Sequence, residues 1–182
     1  MKNEDKCRIF VDKRGNMYKQ SFIDSSALNE AIVEYVSSIQ NANPNGNRKH
    51  LTYRDFLADR MLLVQAIRSG IPYRLFVLIK EESPFNEEEW ADLLSISLKS
   101  LQRYKASGNY LFKPTHSEKI FEIAEVTELG KAVFDNNEKF MLWLSTPSFA
   151  LGNHKPLDLI RDSYGKEMVI GELHRIDQAI FA

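Results

Sequence analysis

The chain has a single cysteine, Cys7, among its 182 residues. No internal disulfide can form, which makes a reducing compartment the simplest expectation. Lys6 and Arg8 flank Cys7 and favour its thiolate, but an ordinary thiol is the plainer reading. Long apolar runs are missing too. None approaches the ~18 residues of a membrane span. The opening Met-Lys-Asn-Glu-Asp-Lys is not followed by the hydrophobic core of a secretion signal. A cytoplasmic protein with no membrane partner is expected. Nor is there an excess of one charge: the formal net charge is −1. A balanced total neither demands nor excludes nucleic acid, because it can hide a local patch.

Catalytic signatures are also absent. The four histidines, His50, His116, His154 and His174, are scattered, and no pair has metal-ligand spacing on a helix. There is no glycine-rich phosphate loop and no nucleophile elbow. Ser148, His154 and Asp158 lie close in sequence, but a solvated loop histidine is the plainer reading of His154. No enzyme, no metal and no cofactor is expected. There is no internal repeat and no low-complexity segment.

What remains is a chain with 43% hydrophobic residues, enough to bury one domain or two small ones. Two β-rich runs within residues 7–22, around Arg14-Gly15-Asn16, predict a hairpin, which must pack or pair to be stable. A helix to about Ile39 follows, with Leu28, Ile32, Tyr35 or Val36, and Ile39 on one side. Residues 40–50, QNANPNGNRKH, read as a polar linker.

From residue 51 the pattern is helical. Thr52 with Asp55 makes a capping box, opening a helix that is expected to run to Ser69 with Phe56, Leu63, Val64 and Ile67 inward. Gly70 closes it and Pro72 starts the next, to about Glu82, burying Leu75, Phe76, Leu78 and Ile79. Asn86 caps a short helix with Glu89 completing the box. Ser97 caps its successor. Thr115 with Glu118 reads as another box, opening a long helix to about Asp135 with Ile120, Ile123, Val126, Leu129 and Val133 inward. The helix carrying Trp143 must end before Pro147. Pro156 suits the first turn of a short helix. A last helix carries Val169, Leu173, Ile176 and Ile180 on one stripe.

In residues 86–105, Ala91, Leu94, Ile96 and Leu101 fall where a helix-turn-helix has its shared core. With Leu98, Leu101 and Tyr104 inward, the second helix keeps a polar, basic face, Lys99, Ser100, Gln102, Arg103 and Lys105, with Ser97 at its start. These types can pair with guanine or adenine edges and hold phosphates. One copy with so few cations predicts weak binding, so operator DNA would be held by a dimer.

The succession Trp143-Leu144-x-x-Pro147, Leu151-Gly152-x-x-x-Pro156-Leu157-Asp158-Leu159, Gly165, Val169 and Leu173-x-Arg175-Ile176 resembles the C-terminal toxin-binding module of the Xre/MbcA/ParS antitoxins. Residues 86–105 resemble the degenerate helix-turn-helix that precedes that module. Family members usually hold Gly where Ser95 stands and a polar residue where Leu98 stands. They usually carry Thr after an acidic residue before the Gly, where this chain reads Asp162-Ser163-Tyr164-Gly165.

The resemblance covers residues 51–182 and implies a mainly α fold: a helix-turn-helix domain (51–113) and a small helical toxin-binding domain (114–182), after an N-terminal extension (1–50) with its short β-hairpin. It implies an antitoxin that occludes the pocket of a cognate RES-type, NAD-consuming toxin. The residues it implies for toxin binding are Leu151, Gly152, Lys155, Pro156, Arg175, Ile176, Ile180 and Phe181. Autorepression through residues 86–105, and a homodimer or a hetero-oligomer with the toxin, are further expectations. Residues 114–182 hold 7 basic and 11 acidic side chains against 17 and 14 before them, which suits a basic protein partner there. A helix-turn-helix transcription regulator whose C-terminal module only oligomerises is the alternative.

Overall fold

The computed structural model describes residues 8–11, 17–20, 25–39, 51–134 and 136–180. A two-stranded antiparallel hairpin, β1 (Arg8–Val11) and β2 (Met17–Gln20), pairs Arg8 with Gln20 and Val11 with Met17. The other elements are helical: α1 (Ser25–Ile39), α2 (Tyr53–Ala58), α3 (Arg60–Ser69), α4 (Tyr73–Glu82), α5 (Glu87–Leu93), α6 (Leu98–Ser107), α7 (Pro114–Phe134), α8 (Asn137–Ser145), a 3-10 turn (Phe149–Leu151), α9 (Pro156–Leu159) and α10 (Ser163–Ile180). The expectation of a mainly α chain is met. Among the described residues, no helix is long and apolar enough to cross a membrane.

Local chemistry sets most of the boundaries. The Thr52 hydroxyl accepts from Asp55 N at 3.1 Å, and the Asp55 carboxylate accepts from Thr52 N at 3.2 Å. Asn86 Oδ1 accepts from Glu88 N and Glu89 N at 2.9 Å, and Glu89 Oε2 accepts from Asn86 N at 2.8 Å. Three carboxylates in the first turn of α5 face its positive end.

Two boundaries depart from expectation. The helix after Thr52 stops at Ala58 and restarts at Arg60, because Asp59 leaves helical geometry (φ −85°, ψ 93°) and its carboxylate caps α3 by accepting from Leu62 N at 3.0 Å. The restart leaves Val64 exposed rather than inward. The box expected at Thr115 does not open α7. Pro114 is already helical, its missing N–H costing nothing in the first turn.

α7 is the spine. It packs against α2, α3 and α4 and also against α8 and α10. Its buried residues, Ser117, Ile120, Phe121, Ile123, Ala124, Val126, Thr127, Gly130 and Val133, lie on more than one side, so one apolar stripe does not describe it. Leu129, expected inward, is half-buried. One hydrophobic cluster runs from Leu28 on α1 to Leu173 on α10. Within it, Phe76 meets Trp90 edge-on at 5.2 Å and Phe112 at 5.0 Å. Full burial of such a side chain stabilises by about 1.5–3 kcal/mol.

Candidate functional site

α5 and α6 form the helix-turn-helix. Ala91, Leu94 and Leu101 are buried, and Ile96 packs partly against the core. The turn between them needs a left-handed residue, and Ser95 supplies it with φ 53°. Ser97 accepts from Ser100 N at 3.1 Å and so caps α6. Lys99, Gln102 and Arg103 are exposed, as is Ser97, while Ser100 is half-buried. The Arg103 guanidinium lies 5.7 Å from the Tyr104 ring centroid, close enough for cation–π attraction. Tyr104 in turn stacks on Tyr110 at 3.5 Å. Lys105 donates to Glu87 Oε1 at 3.2 Å, as does Lys80. Lys105 and then Lys80 hold the Glu87 carboxyl below the usual carboxylate range. Lys105 is thus engaged within the motif, and Lys99 and Arg103 supply the outward positive charge.

The second site begins where Pro147 follows α8. Residues 148–154 close on themselves: Ser148 N donates to His154 O at 3.1 Å and Asn153 N to Ser148 O at 2.9 Å. Gly152 takes the left-handed conformation, φ 66° and ψ 32°, and Asn153 follows with φ 62°. The loop turns Leu151 inward, 3% exposed, and leaves Phe149 outside, 89% exposed. Pro156, first residue of α9, is buried and Lys155 exposed. Leu151 and Pro156 therefore hold the loop, and Gly152, Lys155 and Phe149 form its surface.

α10 follows with almost no spacer, at Gly165. A Cβ there would stand 2.1 Å from the Leu159 carbonyl oxygen, so only glycine lets α10 cross the end of α9. The Asp162 carboxylate accepts from Gly165 N at 2.8 Å. Val169 and Leu173 are fully buried and Ile176 is half-buried against the core. Arg175 is exposed, and its Nε donates to Glu172 Oε2 at 2.8 Å while Nη2 reaches the other carboxylate oxygen. Glu172 itself is only 8% exposed. The side chain of Ile180 and the whole of Phe181 lie outside the described residues. Sequence periodicity picked out the inward stripe of α10 and overlooked its reverse, where Tyr164 and Met168 are exposed. Leu142 on α8 was overlooked in the same way. Apolar side chains at helical spacing, but out of phase with the core stripe, were the available signal.

Residues 62–125 match the antitoxin Xre-like helix-turn-helix domain. Residues 129–178 match the antitoxin Xre/MbcA/ParS C-terminal toxin-binding domain. The chain belongs to the Xre/MbcA/ParS antitoxin family. It is an antitoxin of a toxin–antitoxin pair, and a cognate toxin is its partner. No curated protein matches the chain. A chain of the crystal structure of the M. tuberculosis MbcT–MbcA toxin–antitoxin complex is similar, with 23% identity over 59% of this antitoxin and 94% of that chain and a TM-score of 0.46. In this antitoxin, the two matched stretches meet inside α7. Among the described residues no group of three or more His, Cys, Asp or Glu side chains could hold a metal.

Proposed function

We propose that this antitoxin neutralises a RES-type toxin by steric occlusion of the toxin's NAD pocket with its C-terminal segment, and that it represses its own operon through α5 and α6. The observation that carries the first part is where apolar surface is left uncovered. Of the seven large hydrophobic side chains exposed among the described residues, Leu142, Phe149, Tyr164 and Met168 fall within residues 129–178. Tyr164 and Met168, one turn apart on α10, supply a pair of adjacent exposed apolar side chains there, which supports a partner-covered surface in this module. In this reading Gly152 and Lys155 touch the toxin, Leu151 and Pro156 hold the loop that presents them, and Arg175, Ile180 and Phe181 form the plug, which Ile176, half-buried against the core, anchors. Nothing in the mechanism calls for chemistry by the antitoxin.

Shortening the chain tests occlusion. Removing residues 178–182 takes away Gln178 and Ala179, which are exposed, and the final three residues, but leaves Leu173 and Ile176 in the core. The shortened protein is expected to melt as the full chain does and to lose neutralisation when co-expressed with the toxin encoded beside it. Undiminished protection of growth would refute occlusion by the tail.

A further inference from the structure

The outward side of α10 carries features that the antitoxin's own packing does not use. Its inward positions Gly165, Val169 and Leu173 are buried. On the reverse, Tyr164, Met168, Gly171 and Arg175 recur at spacings of four, three and four residues, and all are exposed. That spacing puts them on one stripe. Tyr164 is 85% exposed and Met168 51%. A solvated helix face is ordinarily polar or charged.

Gly171 is the sharper observation. It sits in the interior of α10, has no positive φ, and a Cβ built on it meets nothing within 4 Å. No turn and no neighbour in the fold requires glycine there. Glycine in a helix interior is nonetheless destabilising relative to alanine. Its remaining use is to let another backbone approach closely, and among the described residues nothing does.

We propose that Tyr164, Met168, Gly171 and Arg175 form a docking face for the cognate toxin, whose backbone crosses α10 at Gly171. The toxin surface is apolar against Tyr164 and Met168 and presents an anionic group to Arg175. The occupant follows from continuity: the stripe lies wholly within the toxin-binding stretch, residues 129–178. Glu172 fixes the guanidinium through Nε and Nη2, leaving the other donors of that planar fork for a carboxylate. The proposal rests on the antitoxin reading above and names the face that reading requires.

Two substitutions test it in the full chain, with the protein encoded by the neighbouring reading frame as the probe. Gly171→Ala is expected to raise the thermal midpoint of the free antitoxin by about 2 °C, yet to weaken toxin binding about tenfold through overpacking at the contact. Gly171→Leu weakens binding further. Opposite signs on folding and binding are the expected signature. Wild-type affinity in both variants overturns the proposal. So does a free dimer that Gly171→Leu converts to monomer with toxin affinity unchanged, because the face then belongs to a second copy. A wild-type chain that binds no toxin sinks the antitoxin reading itself, and that result appears before any substitution is made.

Discussion

Ser95 occupies the left-handed region, φ 53°, where a side chain costs about 1–2 kcal/mol that glycine does not incur. The substitution Ser95→Gly is expected to stabilise by up to about 1 kcal/mol, the relief being partly offset by the freer unfolded chain. A urea midpoint that moves down instead of up would show that the turn is unstrained. The departure from glycine at this position was legible in the sequence, but the backbone angle that makes it matter was not. Gly165 shows the same division. Its place in the motif could be read directly, whereas its reason, the Leu159 carbonyl 2.1 Å from a would-be Cβ, depends on how α9 and α10 cross. Leu151 and Phe149 are two residues apart in a loop, both large and apolar. Hydrophobicity gives no way to choose which goes inside, and the 3-10 turn decides it.

Helix boundaries were legible where the signal is carried by neighbours in sequence. The caps at Thr52, Asn86 and Ser97 each satisfy amides within three residues, so reading residue types in order finds them. Asp59 escaped because the apolar periodicity continues across it, and Thr115 misled because Pro114 had already opened the helix. The two sites were legible to unequal depth. α6 is a short helix whose outward face is the complement of a strong inward pattern, and Lys99, Gln102 and Arg103 are exposed as read. What the sequence hides is the pairing of Lys105 with Glu87, eighteen residues away. With Lys105 so engaged, Arg103 is the principal cation at that end of α6. Arg103→Ala is expected to weaken binding of promoter DNA by roughly 1–3 kcal/mol in a gel shift and to leave toxin affinity as it was. Equal loss of both would mean that the two surfaces are not separate.

The molecule as a whole is organised by α7. Its own apolar sequence predicts an inward helix, but the sequence does not say that helices from both matched stretches bury against it. From the first stretch α3 and α4 pack on it, and ahead of that stretch Phe56 on α2 meets Phe121 edge-on at 5.3 Å. Farther along, Gly130 admits the ring of Phe140 from α8, which would otherwise stand 2.2 Å from a Cβ. A helix shared in this way couples the helix-turn-helix and toxin-binding stretches in one folding unit. Cooperative unfolding in a single transition is therefore expected. The two tryptophans allow it to be checked, since Trp90 lies on α5 and Trp143 on α8. Trp90 is fully buried, its indole N–H donating to the Ser83 hydroxyl at 2.9 Å, and Trp143 packs at 5.5 Å from Phe134 at the end of α7. In Trp90→Phe the fluorescence reports the toxin-binding stretch, and in Trp143→Phe the helix-turn-helix stretch. Each is to be compared with the far-UV signal of the same variant, so that any loss of stability from the substitution cancels. Coincident midpoints in both variants are expected. A tryptophan transition that separates from the loss of helix in either one would show that α7 joins two independent units, and a toxin seated on α10 would then have no mechanical route to α6.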